Sequence, residues 1–450
     1  MNSEASILSR REALTTVAVG VGSLALLTRA GAVEAQSQPA RTDASSGSAP
    51  ITRGYTPCVV PNGWTLPFTA VDGVKVFHLV AEEVRHEFAP GLQANCWGYN
   101  GGVHGPLIEA VEGDRVRIFV TNKLPAPTTV HWHGLIVPSG MDGVGGLSQR
   151  AIQTGETFQY EFTLKQHGTF MYHSHHDEMT QMAMGLTGMF VVHPSEVPAE
   201  QRVDRDVVLL LHEWRIDVGT DRPDPGEMSD FNVLTLNARV FPGTAPVVAK
   251  VGDRVRLRFG NLSAMDHHPM HLHGFEFAVT AENGFDVPSQ NQVRGGTVLV
   301  PVGTTKDVTL VADNAGDWAL HCHMTHHVMN QMGHNLPNTL GMADVDDKKI
   351  RKLLPAYMTM GQDGMAEMGE MAMKMPPNSI PMVGGAGPKD YITMGGMFTI
   401  VKVRNELPGG YDADVGWYQD QPGETATVAS ADVLARNQID PNAGPRAPKS

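Results

Sequence analysis

The chain repeats itself, and the repeat restricts the fold more than any other feature of the sequence. Gly113-Asp114-Arg115-Val116-Arg117-Ile118 returns as Gly252-Asp253-Arg254-Val255-Arg256-Leu257, and Asn122 has its counterpart in Asn261. A second landmark follows each copy: Gly168-Thr169-Phe170-Met171-Tyr172-His173-Ser174-His175 matches Gly316-Asp317-Trp318-Ala319-Leu320-His321-Cys322-His323. Two landmarks in the same order imply two copies of one domain. The repeating unit reads as β-structure. Phe158, Tyr160, Phe162 and Leu164 alternate with polar residues, as a half-buried strand requires. Val207 to Leu211 is a continuous apolar run suited to a strand buried on both faces. Helical periodicity is scarce before residue 345, and short runs bounded by Gly, Pro, Asn and Asp predict β-sandwiches or barrels. The first copy is expected over 61–197. The second is expected over 203–346, with a closing strand at 395–404, because Met394-Gly395-Gly396-Met397-Phe398 resembles Gly188-Met189-Phe190-Val191-Val192.

The remaining segments differ in character. Arg10-Arg11 precedes a mostly apolar run from Ala13 to Leu27, with small residues around Ala30-Gly31-Ala32 and Val33-Glu34-Ala35. Residues 1–35 therefore read as a twin-arginine-type export signal, placing the mature protein in the periplasm or outside the cell. Residues 36–60 form a linker, 347–394 a Met-rich insertion, and 405–450 a tail that is loosely ordered or wrapped on a surface. No segment reads as a membrane span. The formal charge of -14 carries no basic stripe, which excludes a nucleic-acid binder. Of three cysteines, Cys322 stands between two histidines, while Cys58 and Cys96 are candidates for one disulfide in an oxidising compartment.

Thirteen of the 20 histidines fall in four short stretches: His131-Trp132-His133, His173-Ser174-His175-His176, His267-His268-Pro269-Met270-His271-Leu272-His273, and His321-Cys322-His323 with His326 and His327. A His-x-His pair on a strand puts both imidazoles on one face, and neutral imidazole suits copper, zinc, iron and nickel. On His321-Cys322-His323 the thiolate points away from its two neighbours. Metals on opposite faces would then be joined through a few covalent bonds, an arrangement that serves electron transfer. His268, His327 and Met332 supply the remaining donors of a trigonal two-His, one-Cys, weak-Met copper site. His176, His267 and His326 fall on the wrong parity or spacing and read as supporting or surface residues.

These four motifs, in this order over about residues 90 to 335, resemble those of the multicopper oxidases, the family of laccases and cuprous oxidases. The resemblance implies cupredoxin-like Greek-key β-sandwich domains and four coppers per functional site. Cys322, His268, His327 and axial Met332 would hold the type 1 copper, and His131 and His271 the type 2 copper. His133, His173, His175, His273, His321 and His323 would hold the type 3 pair. Asp142 matches a family acid that helps deliver protons, whereas Val328 stands where bacterial members often carry an acid, leaving Asp177 and Glu178 as alternatives. About ninety residues separate His175 from His268, too few for a middle domain, and Ser174 replaces the Cys322 position in the first copy. That resembles the two-domain laccases with type 1 copper in the second domain, which implies a homotrimer whose clusters lie between subunits.

The implied function is an oxidase coupling one-electron oxidation of phenols, aromatic amines or Cu(I) to reduction of O2 to water. Met358, Met360, Met365, Met368, Met371, Met373, Met375 and Met382 crowd the insertion, and Met179, Met182, Met184 and Met189 form a second series. Thioethers prefer Cu(I), although Met365, Met368, Met371 and Met375 also fit the apolar stripe of a short helix. Alternatives are a copper nitrite reductase-like enzyme, which needs no type 3 pair, and a non-catalytic copper-binding resistance protein, which gives Cys322 no role.

Overall fold

The computed structural model describes residues 54–331, 348–349, 352–353 and 377–441. The export signal, most of the linker, Met332 and seven insertion methionines (Met358, Met360, Met365, Met368, Met371, Met373 and Met375) lie outside the described residues.

Four sheets form two sandwiches. The first sheet joins Thr69–Val71, Val74–Ala89, Arg115–Asn122 and Thr157–Thr163, with Leu92–Tyr99 paired to Val74–Ala89. The second runs Ile108–Val111, Thr187–His193, Gly168–His173, His131–His133. Alternation decides what lies between them. Val116, Ile118, Val120, Tyr160 and Phe162 from the first meet Ile108, Ala110, Trp132, Phe170, Tyr172 and Phe190 from the second in one buried cluster.

The third sheet is eight-stranded and includes Cys58–Val59, Arg205–Trp214, Arg254–Asn261, Thr305–Val311 and Phe277–Glu282. The fourth runs Val247–Lys250, Phe398–Arg404, Gly316–Cys322, His268–Leu272, Thr297–Val300. Their facing sides bury Val207, Leu209, Leu257 and Val308 against Met270, Leu272, Leu320 and Val401. Phe398–Arg404 lies between two strands far earlier in the chain, parallel to Val247–Lys250 and antiparallel to Gly316–Cys322. Its approach also fixes the loop after Cys322: Cys322 N donates to Met397 O at 3.0 Å, and Met397 N to His327 O at 2.9 Å.

The sandwiches pack through the second and third sheets. Leu107, Met171, Met189 and Val191 meet Cys58, Val208, Leu210 and Leu262. At the centre Arg258 is clamped between two carboxylates, with Nε and Nη2 2.7 and 2.8 Å from Asp206 and Nη1 2.9 Å from Asp307. The Thr169 hydroxyl crosses from the first sandwich, donating to Asp307 Oδ1 at 2.7 Å and accepting from Arg258 Nη1 at 2.8 Å. Burial pushes the Asp206 carboxyl up, but the Arg258 guanidinium outweighs it and holds the group below its ordinary value.

Cys58 and Cys96 do not pair; both are free, buried thiols. Cys58 lies on the third sheet, in register with Asp206. Cys96 lies on the first, opposite Val84, inside an apolar patch with Trp214 and Ile216. Residues 411–418 lie along the second sandwich: Tyr411 Oη donates to Asp253 at 2.9 Å, and Tyr418 N to Asp317 at 2.8 Å. Among the described residues no helix is long and apolar enough to cross a membrane.

Candidate metal centre

The duplication is visible in the registers. His131 stands opposite His173 on adjacent antiparallel strands, and His271 stands opposite His321 on the equivalent pair. Each register gathers a quartet of imidazoles.

In the first sandwich His131 touches His133, His173 and His175 at ring separations of 5.7, 5.4 and 5.4 Å. One nitrogen from each of His131, His133 and His173 falls within a 4.8 Å group. These rings lie on the face opposite Trp132 and Tyr172, whose side chains fill the core. Burial lowers the basicity of His133 and takes His173 down to about 3, which favours the neutral, metal-binding form of both rings. Several outer partners orient the rings. His131 Nδ1 lies 2.8 Å from the Asp142 carbonyl oxygen and 3.4 Å from its carboxylate. The turn that brings Asp142 there requires Gly143, at φ +85, where a Cβ would fall 1.8 Å from Val130 O. Glu178 lies 3.5 Å from His173 and 3.8 Å from His175, and His133 Nε2 donates to Gly303 O at 2.9 Å.

In the second sandwich His271 touches His273, His321 and His323 at 4.7, 5.7 and 5.4 Å. Met270, Leu272, Leu320 and Cys322 point inward, so this quartet occupies the outer face of the fourth sheet. His273 and His323 are exposed, and His321 is buried. The quartets therefore face different spaces. The first lies on the side of the second sheet that packs against the third, and the other is two sheet spacings farther out, roughly 20 Å away. Among the described residues, no group of donors within 4.8 Å mixes the two sets.

Cys322 enters the opposite side of the fourth sheet from its neighbours. Its Sγ lies 3.7 Å from His268 Nδ1 and 3.4 Å from His327 Nδ1, and those two nitrogens are 3.2 Å apart. All three residues are buried. The outer nitrogens are engaged elsewhere: His268 Nε2 is 2.7 Å from Ser263 Oγ, and His327 Nε2 is 3.3 Å from Asp266. Each Nδ1 is thereby left to face the sulfur, a convergence that an ordinary buried histidine does not need. Burial takes His268 down to about 3 and pushes the Cys322 thiol up to about 12, so a cation would have to displace the thiol proton. One thiolate and two imidazoles in a dry pocket fit copper.

Met332, assigned as the axial donor from its spacing, lies outside the described residues. Of the three histidines set aside, His267 Nδ1 accepts from Val302 N at 3.1 Å, and His176 Nδ1 lies beside Gly145. Sequence reasoning did not single out Asp266 or Ser263. Asp266 is two residues before His268, a spacing that would have flagged it as a neighbour of that ligand.

Multicopper oxidase family profiles match residues 81–197 and 217–340, together more than half of the chain. Copper resistance protein A of Pseudomonas syringae pv. tomato is 30% identical over 267 residues, covering 48% of this chain and 43% of that protein. This chain thus spans less than half the length of that relative. Two solved structures superpose with a TM-score of 0.55 at 28% identity. The blue copper oxidase of Nitrosomonas europaea is covered over 85% of its length by 73% of this chain, and the multicopper oxidase mgLAC over 91% by 76%. The profile matches, the two β-sandwiches and the convergent His and Cys donors agree: this chain belongs to the multicopper oxidases, and its fold is of their cupredoxin-like kind.

Proposed function

We propose that the protein is an oxidase that takes electrons singly from a reductant and delivers them to dioxygen. The observation that carries the reading is the strand His321-Cys322-His323. Its thiol faces His268 and His327 on one side, and its flanking imidazoles join His271 and His273 on the other. Copper held by these residues would supply one-electron uptake beside Cys322 and the reduction of dioxygen to water among the imidazoles. The type 1 set would be Cys322, His268 and His327, with Met332 the proposed fourth donor. His131 and His271 are assigned to type 2, and His133, His173, His175, His273, His321 and His323 to the type 3 pair.

The protein's own groups do the rest. The peptide backbone on either side of Cys322 fixes a short covalent path between the two faces of the sheet. Burial of His268, Cys322 and His327 excludes water from the electron entry site. Asp142 holds the tautomer of His131 through its carbonyl and keeps a carboxylate beside the ring as a proton donor and acceptor. Glu178, beside His173 and His175, takes the place left open by Val328.

The two quartets face different spaces, which supports a ring of three chains. In it, the first sandwich of one subunit and the second sandwich of the next complete a cluster between them. The methionines and the likeness to a copper resistance protein favour Cu(I) as the reductant over a phenol. Arg10-Arg11 and the run after them support export to the periplasm.

Oxygen uptake by copper-replete protein, supplied in turn with Cu(I) and a methoxyphenol, tests the reading. We expect turnover with at least one, faster with Cu(I), and loss of turnover with both in Cys322→Ser. Wild-type rates in a metal-replete Cys322→Ser protein would refute it.

A further inference from the structure

Away from the copper ligands, a third convergence of donors lies where the two sandwiches meet. Cys58 Sγ is 3.9 Å from His193 Nε2, and that nitrogen is 2.7 Å from Glu109 Oε1, which also accepts from the Cys58 backbone N at 2.8 Å. All donor atoms fall within 4.8 Å of one another. The residues come from three strands in two sandwiches. Glu109 and His193 lie on adjacent parallel strands of the second sheet, Glu109 opposite Val191 and His193 opposite Val111, and Cys58 belongs to the third.

We propose that Cys58, Glu109 and His193 form a binding site for a single borderline divalent cation of the zinc class, distinct from the copper centres. Thiolate, imidazole and carboxylate are the donors such an ion takes. For tetrahedral zinc, bond lengths of about 2.3 Å to sulfur and about 2.0 Å to nitrogen or oxygen put neighbouring donors roughly 3.3–3.6 Å apart. The sulfur and imidazole need to close by a few tenths of an ångström, and the imidazole and carboxylate need to open by slightly more. A cavity of about 20 Å3, lined by Tyr55, Thr56, Asp206 and Arg256, borders the His193 side of the group and has room for one water.

The local field favours a cation. At the thiol, burial and the Asp206 and Glu109 carboxylates outweigh the Arg258 guanidinium, which is itself spent on Asp206 and Asp307. Arg256, the other cation on the cavity wall, is paired with Asp206 at 3.2 Å. The Tyr55 ring stacks on His193 at 3.9 Å between centroids and covers the open side. On binding, the Cys58 thiol loses its proton to solvent as its sulfur bonds the ion. His193 shifts its hydrogen to Nδ1 so that Nε2 donates its lone pair, and no electron is transferred. The bound ion would tie the strand at Cys58 to both sandwiches.

The test uses the copper-replete full chain, so that Cys322 and the clustered histidines are already occupied. Cobalt(II) serves as a coloured surrogate for zinc, followed by desalting and elemental analysis. The expected result is one additional cobalt per chain, with a near-ultraviolet sulfur-to-cobalt band that zinc abolishes and an unchanged blue absorbance from the Cys322 site. Cys58→Ala and His193→Ala should each lose the band and the extra equivalent. Glu109→Gln, which keeps the size and a hydrogen bond, should weaken cobalt retention at least tenfold and serves if the other two fail to fold. Absence of an extra equivalent in wild type, or equal uptake and band in wild type and a folded variant, overturns the assignment. The blue absorbance reports the copper reading separately, so either can fail without the other.

Discussion

Asp266 places a carboxylate oxygen 3.3 Å from Nε2 of His327, on the side of the imidazole away from Cys322. That carboxylate is partly exposed, with a side-chain exposure of 36%, so it joins solvent to the buried His327 ring, and we propose that a cationic reductant meets the protein there. Replacing it with asparagine keeps the shape and removes the charge. Asp266→Asn should lower kcat/KM for Cu(I) about fivefold, corresponding to about 1 kcal/mol for a partly screened charge. A neutral methoxyphenol should be nearly unaffected. Steady-state oxygen uptake with both reductants decides, and an equal loss with both would mean that Asp266 acts by holding His327 rather than by attracting cations.

Arg258 compensates two buried carboxylates, Asp206 and Asp307, while accommodating a hydroxyl from the other sandwich. Its removal leaves Asp206 with only Arg256 and Asp307 with only the Thr169 hydroxyl as partners in a dry interface. Arg258→Met should destabilise the fold by about 3–5 kcal/mol. A shift in the urea midpoint, measured with copper loading matched, checks this, and an unshifted midpoint would show that water replaces the guanidinium.

Complementation tests shared sites between subunits. His133→Ala disables the first quartet and His273→Ala the second, and each variant alone should be inactive. Co-expressed in equal amounts, they should regain about a quarter of wild-type activity, because one junction in four of a random ring pairs an intact first sandwich with an intact second. No recovery in mixed trimers would place both quartets of a working cluster in one chain.

Burial lowers the imidazole of His86 from 6.5 to about 4, and that of His212 by a similar amount. A depressed histidine resists protonation only while folded. Its contribution is therefore complete above pH 6.5 and is lost as pH falls through about 4. Metal-free protein should lose stability steeply over that window, by up to about 3 kcal/mol for His86. Urea denaturation of wild type and His86→Gln at about pH 7.5 and pH 4.5 should give a visibly shallower pH dependence in the variant.

What the sequence disclosed follows from the range of its signals. A two-residue alternation places His131 and His133 on one face and Cys322 opposite His321 and His323, because strand geometry is local. The registers of His131 with His173 and of His271 with His321 fit that alternation. Contacts between sheets are not local. Cys58 and Cys96 look like partners when counted and lie on different sheets when folded. Cys58, Glu109 and His193 share no spacing, and only the packing of the second sheet on the third collects them. The spacing of Asp266 points to His268, two residues on, whereas the ring its carboxylate reaches in the fold is that of His327.

The strand Phe398–Arg404 completes the sheet that carries Cys322, and the residue before it, Met397, ties down the backbones of Cys322 and His327. During synthesis the first sandwich has all its strands by residue 193, whereas the second waits for residue 404. Until then Val247–Lys250 and Gly316–Cys322 present raw edges, and Cys322 and His327 have no fixed loop between them. A nascent chain stalled before that strand should clump and hold copper poorly. Competence to bind the metal would then report that translation has run almost to its end.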